Sequence, residues 1–180
     1  MKSVLISIQP KWCEPIASGK KTVEVRKTRP KLDAPFKCYI YATKSGDNLY
    51  SVNGAVQKPN EIHLDLKQNS VVDELNGKVI GEFVCDEIDE YRYGVYDGEF
   101  TYHIPTAEGE KTCVEYPEAE EYGNGKPLYF WHISDLVIYD KPRELREFFK
   151  PALPTFLRYE DDAIKRPPQS WCYVDGSDTE

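Results

Sequence analysis

Val4, Ile6 and Ile8 alternate with Leu5, Ser7 and Gln9, the period-two pattern of a strand, and Gln9-Pro10 ends it. Residues 12–18 then read as a short helix stopped by Gly19, whose missing Cβ suits the left-handed position after a helix end. Pro15 falls inside this helix, so it either occupies the first turn or kinks the segment. Alternation returns over residues 22–26, with Val23 and Val25 on one face and Thr22, Glu24 and Arg26 on the other, as in a half-buried strand. Residues 37–42 predict a third strand, and the polar stretch 43–63 reads as a long loop. Ser70-Val71-Val72-Asp73 has the pattern of a capping box, opening a short helix that Gly77 would close.

Residues 78–88 give the strongest strand, Val79, Gly81, Phe83 and Cys85 alternating with Ile80, Glu82 and Val84. An acidic, tyrosine-rich region of weak periodicity follows. Residues 128–133 and 136–139 predict two further strands joined by Ser134-Asp135. Pro142 sits where a first-turn proline belongs, and Leu145, Phe148 and Phe149 fit one face of a helix ended by Lys150-Pro151. Pro167-Pro168 bends the chain into a last strand near Trp171. Short strands with few helices between them predict an α+β fold, a small β-barrel with flanking helices, because closure removes unpaired sheet edges. With no repeat or linker visible, the 180 residues read as one domain.

Charge changes the picture more than composition does. The net charge of −8 argues against coating duplex DNA by bulk attraction. Yet residues 19–31 hold Lys20, Lys21, Arg26, Lys27, Arg29 and Lys31 against Glu24 alone, whereas residues 82–122 hold thirteen acids against Arg92 and Lys111. The acidic run is most simply a solvated face. The basic run coincides with a patterned strand. The longest apolar run, residues 38–42, is far short of the roughly 20 residues needed to cross a bilayer, and the N-terminus lacks a signal-peptide core. A cytoplasmic protein away from membranes is expected. Cys13, Cys38, Cys85, Cys113 and Cys172 never form a Cys-x-x-Cys pair, which predicts reduced, mostly packing thiols, no metal site and no cofactor. Nothing in the sequence demands more than a monomer.

On a strand, Glu24 and Arg26 project from one face about 7 Å apart with Thr22 beside them. As a surface ion pair they would contribute almost nothing. Directed into the mouth of a barrel, Lys21 and Glu24 could do acid–base work while Arg26 holds a phosphate or a base edge. Trp12, one helical turn away, suits stacking on a base or anchoring its helix. Ser7 and Gln9 could bond a base edge or cap the helix. Trp131 and Trp171 read as core, His132 as a structural histidine, and Lys165-Arg166 as cations able to meet phosphates.

Gly19, Lys21, Glu24 and Arg26 form Gly-x-Lys-x-x-Glu-x-Arg, which resembles the signature of the ASCH domain, a member of the PUA-like superfamily of small β-barrels associated with RNA and modified bases. Ser7-Ile8-Gln9-Pro10, the run Tyr129-Phe130-Trp131-His132-Ile133-Ser134-Asp135-Leu136 and the closing Arg166-Pro167-Pro168-Gln169-Ser170-Trp171 are similar to that family too. The likeness covers most of the chain, with the acidic region at about 89–125 looking like an insertion. It implies a cleft lined by Lys21, Glu24 and Arg26, with Ser7, Gln9, Trp12, Lys20 and Thr22 nearby, that takes single-stranded RNA or a modified nucleoside. Some small members are amidohydrolases of acetylated cytidine nucleosides and carry threonine where this chain has Glu24. Others with the glutamate resemble RNA-binding proteins, and nuclease activity has been proposed in the family. The alternatives are therefore a hydrolase of acylated cytidine or RNA, with Lys21 as base and Glu24 as its partner, and a protein-interaction module using the tyrosine-rich region.

Overall fold

A computed structural model describes residues 2–52, 55–57, 72–151 and 162–176. Strand β1 (Lys2–Ile8) leads into helix α1 (Pro10–Ala17), which Pro10 opens at its first turn, where a missing backbone N–H costs nothing. The helix starts earlier than the sequence pattern indicates, so Pro15 lies in its interior. Strands β2 (Val23–Arg26) and β3 (Phe36–Ala42) follow, then β4 (Tyr50–Val52), β5 (Ala55–Gln57) and β6 (Val72–Glu74). Strand β7 (Val79–Tyr91) precedes the hairpin β8 (Tyr93–Tyr96) and β9 (Glu99–Tyr102) and the helices α2 (Thr106–Lys111) and α3 (Tyr116–Gly123). Strand β10 (Leu128–Arg143), a 3-10 turn at Leu145–Glu147 and strand β11 (Trp171–Asp175) complete the chain.

Six strands form the main sheet in the order β11-β1-β3-β7-β10-β2, with β1 and β3 parallel and the other neighbours antiparallel. The ladder order leaves β11 and β2 as edges, so the closed barrel expected from the sequence is replaced by an open sheet. That sheet curls strongly: Arg26 on β2 reaches Ser7 on β1 and Ser170 at the entrance to β11. Side chains tie the seam where backbone ladders do not.

The sheet is covered on both faces, which explains why β1 is apolar at both parities. Val4, Ile6 and Ile8 join Ile16, Cys38, Phe83 and Trp131 in one cluster, whereas Leu5 packs with Tyr39, Val79 and Phe148 in another. A third cluster joins Val23 and Val25 to Leu128 and Phe130 and to Tyr102 and Ala119 of the acidic segment. Strand β2 is consequently buried along its whole length rather than half-buried.

Four local readings are corrected. The stretch 43–63 holds strands β4 and β5, with residues 53–54 and 58–63 outside the described residues. Where the capping box predicted a helix, Val72–Glu74 pairs with β4 as a strand, Ser70 and Val71 lying outside the described residues. Residues 128–139 form one strand rather than two. Ser134-Asp135 marks a register shift with Asp135 at φ 45°, a bulge that bends the strand and lets it continue. That continuation carries β10 through Pro142 to Arg143, so the helix predicted there shrinks to the 3-10 turn. Among the described residues no helix is long and apolar enough to cross a membrane.

Candidate functional site

The turn after α1 places the first charged residue. Ser18 and Gly19 close the helix on the carbonyls of Glu14 and Ile16, Gly19 takes φ 74°, and the Lys21 amide returns to the Pro15 carbonyl. A positive φ carries no Cβ penalty at glycine, so the chain can reverse here. The reversal buries Lys21 to 1% exposure. Its Nζ donates to the Thr112 carbonyl at 2.6 Å and lies 3.3 Å from Glu24 Oε2. It also sits 5.0 Å above the Trp12 ring, which Lys11 Nζ approaches at 4.5 Å.

Glu24 bridges two cations. Its Oε1 lies 3.0 Å from Arg26 Nη2 and its Oε2 3.3 Å from Lys21 Nζ. All three residues are buried, so the exposed ion pair considered from spacing alone is instead a desolvated triad with one positive charge in excess. Pairs of this kind matter differently from surface ones: removing one partner strands a buried charge at a cost of about 3–5 kcal/mol. Arg26 Nη2 also donates to the Ser7 carbonyl at 2.6 Å, whereas its Nε is buried with no hydrogen-bond partner among the described residues.

The triad floors a cavity of about 210 Å³. Ser7, Gln9 and Trp12 line one side, and Val114, Glu118, Ala119 and Tyr122 line the other. The space is small beside the ~300–1,000 Å³ of pockets for drug-sized ligands, which suits one planar base. Lys11 and Glu118 pair at 2.7 Å between α1 and α3, and Lys27 Nζ lies 4.5 Å over the Tyr122 ring. Burial raises the pKa of the Tyr122 hydroxyl, with Arg26 opposing and Glu24 adding to the rise, so this phenol lies within the field of the triad.

The predicted residues divide into two sets. Lys21, Glu24, Arg26, Ser7, Gln9 and Trp12 meet at the cavity, whereas Lys20 and Thr22 are exposed and do not line it. Thr22 precedes β2, and its amide and carbonyl bind the Lys111 carbonyl and the Ile133 amide. The Ser7 hydroxyl donates to the Pro168 carbonyl at 2.7 Å, so it fixes the tail. Gln9 precedes α1 without making a side-chain cap bond to it. Trp131 is fully buried, Trp171 donates to Thr28, and His132 pairs with Asp89 at 2.8 Å.

The side of the cavity supplied by α3 escaped the sequence reading. Its signal was present in punctuation: Pro117 in the first turn and Asn124-Gly125 after the end bracket a helix, and Asn124 adopts the left-handed conformation.

The whole chain matches solved structures. A crystal structure of ASCH from Zymomonas mobilis superposes with a TM-score of 0.57 at 18% identity, covering 97% of this chain and 88% of that one. A Tyr-to-Phe variant of the same protein matches with a TM-score of 0.56 at 18% identity, over 98% and 92% of the two chains. A Ser-to-Ala variant gives 0.56 and 18% over 97% and 89%. The chain has the ASCH fold. No protein-family model matches it, and no curated protein matches it in sequence.

Within this ASCH fold, the four stretches that carried the resemblance converge in space. Ser7 lies next to the end of β1, Arg26 ends β2, Ser170 precedes β11 and Trp131 lies opposite Glu24 in the β10–β2 ladder. Residues far apart in the chain thus build one end of the sheet, and the charged triad sits there.

Proposed function

We propose that the cleft binds one unstacked base, presented by single-stranded RNA or by a modified nucleoside. The observation that carries this reading is the buried Lys21–Glu24–Arg26 triad opening into a small cavity lined by Trp12 and Tyr122. A nucleobase offers an aromatic face together with carbonyl and ring-nitrogen acceptors. Aromatic side chains supply stacking for the first, and a triad with excess positive charge supplies donors for the second. Lys20 and Lys27 are solvent-accessible cations on the chain segments around the site, able to meet phosphates. The overall charge of −8 favours contact confined to this patch, and a base stacked within a duplex cannot enter so small a space.

A second reading shares the site. Lys21 Nζ and Glu24 Oε2 are 3.3 Å apart beside the cavity, the pairing a hydrolase of acylated cytidine or of RNA would need to move a proton. Thermal-shift titration with nucleosides, acetylated cytidine and short single-stranded RNAs, followed by product analysis, tests both. A ligand that binds the folded chain raises Tm by mass action. Product formation would establish turnover, a shift without product would establish a binder, and no shift with any of these probes would overturn the base-binding reading.

A further inference from the structure

The acidic segment contributes to a second cluster that the cleft does not use. Asp89 on β7, His132 on β10 and Glu108 on α2 each present one ligand-type atom, and these atoms lie within 4.8 Å of one another. His132 Nε2 is 2.8 Å from Asp89 Oδ2. Glu108 holds Lys111 through Oε1 at 2.7 Å. Its other oxygen, Oε2, is sealed from solvent and has no hydrogen-bond partner among the described residues. A buried carboxylate oxygen in that condition is costly and requires a physical account, an ion or a water being the usual one.

The surroundings favour an ion. Lys111 is the cation paired with Glu108 there, and it engages Oε1, not the unpartnered Oε2.

We propose that Asp89, Glu108 and His132 form a binding site for one divalent transition-metal ion. Oxygen and nitrogen ligands at about 2.0–2.2 Å from a common centre necessarily stand a few ångströms from each other, as these three atoms do. One imidazole nitrogen with two carboxylate oxygens suits Mn²⁺, Fe²⁺, Co²⁺ or Zn²⁺, whereas Mg²⁺ and Ca²⁺ favour oxygen alone. The ligands come from three elements, so the ion joins α2 to the paired strands β7 and β10. That link reaches the cleft. Glu108 lies one helical turn before Thr112, whose carbonyl receives Lys21 Nζ, and Lys111 offers its own carbonyl to the Thr22 amide. Metal at this site holds the strap against which Lys21 is positioned.

Calorimetric titration of the metal-free full chain with Zn²⁺ and Mn²⁺, alongside Mg²⁺ and Ca²⁺, tests the site without reference to any nucleoside. One equivalent of Zn²⁺ or Mn²⁺ is expected to bind, with a rise in Tm and slower amide exchange over residues 106–112, while Mg²⁺ and Ca²⁺ at equal concentration give neither effect. Asp89→Asn and Glu108→Gln should each weaken binding by more than about 100-fold, beyond what loss of a supporting outer contact causes. Pulsed electron paramagnetic resonance of the Mn²⁺ complex of the unsubstituted chain should show coupling to one imidazole nitrogen, a reading independent of whether the variants fold. Absence of Zn²⁺ and Mn²⁺ binding, equal binding of Mg²⁺, affinity unchanged in both variants or absence of nitrogen coupling would each overturn the assignment.

Discussion

Arg26 Nη2 donates to the carbonyl oxygen of Ser7 at 2.6 Å, joining strands that stand four places apart in the order of the main sheet. The same nitrogen holds Glu24 at 3.0 Å. One side chain therefore serves both the curl of the sheet and the charge balance of the cleft. Arg26→Ala is expected to destabilise the chain by about 3–5 kcal/mol, because Glu24 loses one of two buried partners and the Ser7 carbonyl loses its donor. Adding Glu24→Gln should deepen the loss, since Lys21 then keeps a buried charge with no anion beside it. Urea denaturation of the single and double variants reads this directly. An Arg26→Ala variant as stable as the parent would show that the seam is held by other contacts.

Tyr122 separates binding from folding more cleanly. It lines the cavity yet is 39% exposed, so Tyr122→Ala removes a stacking face without opening the core. Affinity for a bound nucleoside or short RNA should fall by about 1–3 kcal/mol, the usual range for one stacked base, with little change in Tm. Calorimetry with unchanged affinity would remove Tyr122 from the recognition surface.

The thiols give a pH dependence of definite sign. Burial raises the pKa of Cys13, Cys38 and Cys85, pushing Cys85 up to about 12. An unfolded thiol titrates near ~8.5. Above that pH the unfolded chain releases protons that the folded chain retains, so the thiols' contribution is complete below ~8.5 and declines as pH rises toward the folded values. The urea midpoint should fall between pH 8 and 11, less steeply in Cys85→Ala. At pH 8 iodoacetamide should label exposed Cys113 first, Cys172 more slowly, and the three buried thiols after unfolding. Rapid labelling of Cys13 in the folded chain would contradict this order.

Gly81 marks where two strands come unusually close. A Cβ there would collide with the Val137 carbonyl beside the bulge in β10. Gly81→Ala should cost about 1–3 kcal/mol, the range for overpacking a close contact, and lower Tm by about 2–10 °C. An unchanged Tm would show that β10 can shift at its bulge.

Elements whose side chains alternate were legible from sequence: β1, β2 and β7 fall where alternation places them, β3 where residues 37–42 read as a strand, and β11 after the proline bend. The triad was legible for the same reason, since a period of two puts Glu24 and Arg26 on one face. β10 was misread because Ser134-Asp135 has turn chemistry, which a bulge uses as readily as a turn does. The strand at Val72–Glu74 depends on pairing with β4, so a local capping pattern could not reveal it. Thr112 and Tyr122 were missed because their partners are remote: 91 positions separate Lys21 from the carbonyl it binds. Contacts closed across such a span leave no periodic trace.

The charged floor of the cleft and the helix α3 that faces it come from different stretches of chain. The floor is built from residues 21–26, whereas Val114, Ala119 and Tyr122 belong to the acidic segment, where Val114 and Ala119 share an apolar cluster with Val23 and Val25. The charged floor and the apolar wall are thereby separate parts of the chain. If the cleft binds a base as proposed, exchange of the segment carrying α3 between chains of this fold would change the apolar wall while leaving Lys21, Glu24 and Arg26 in place.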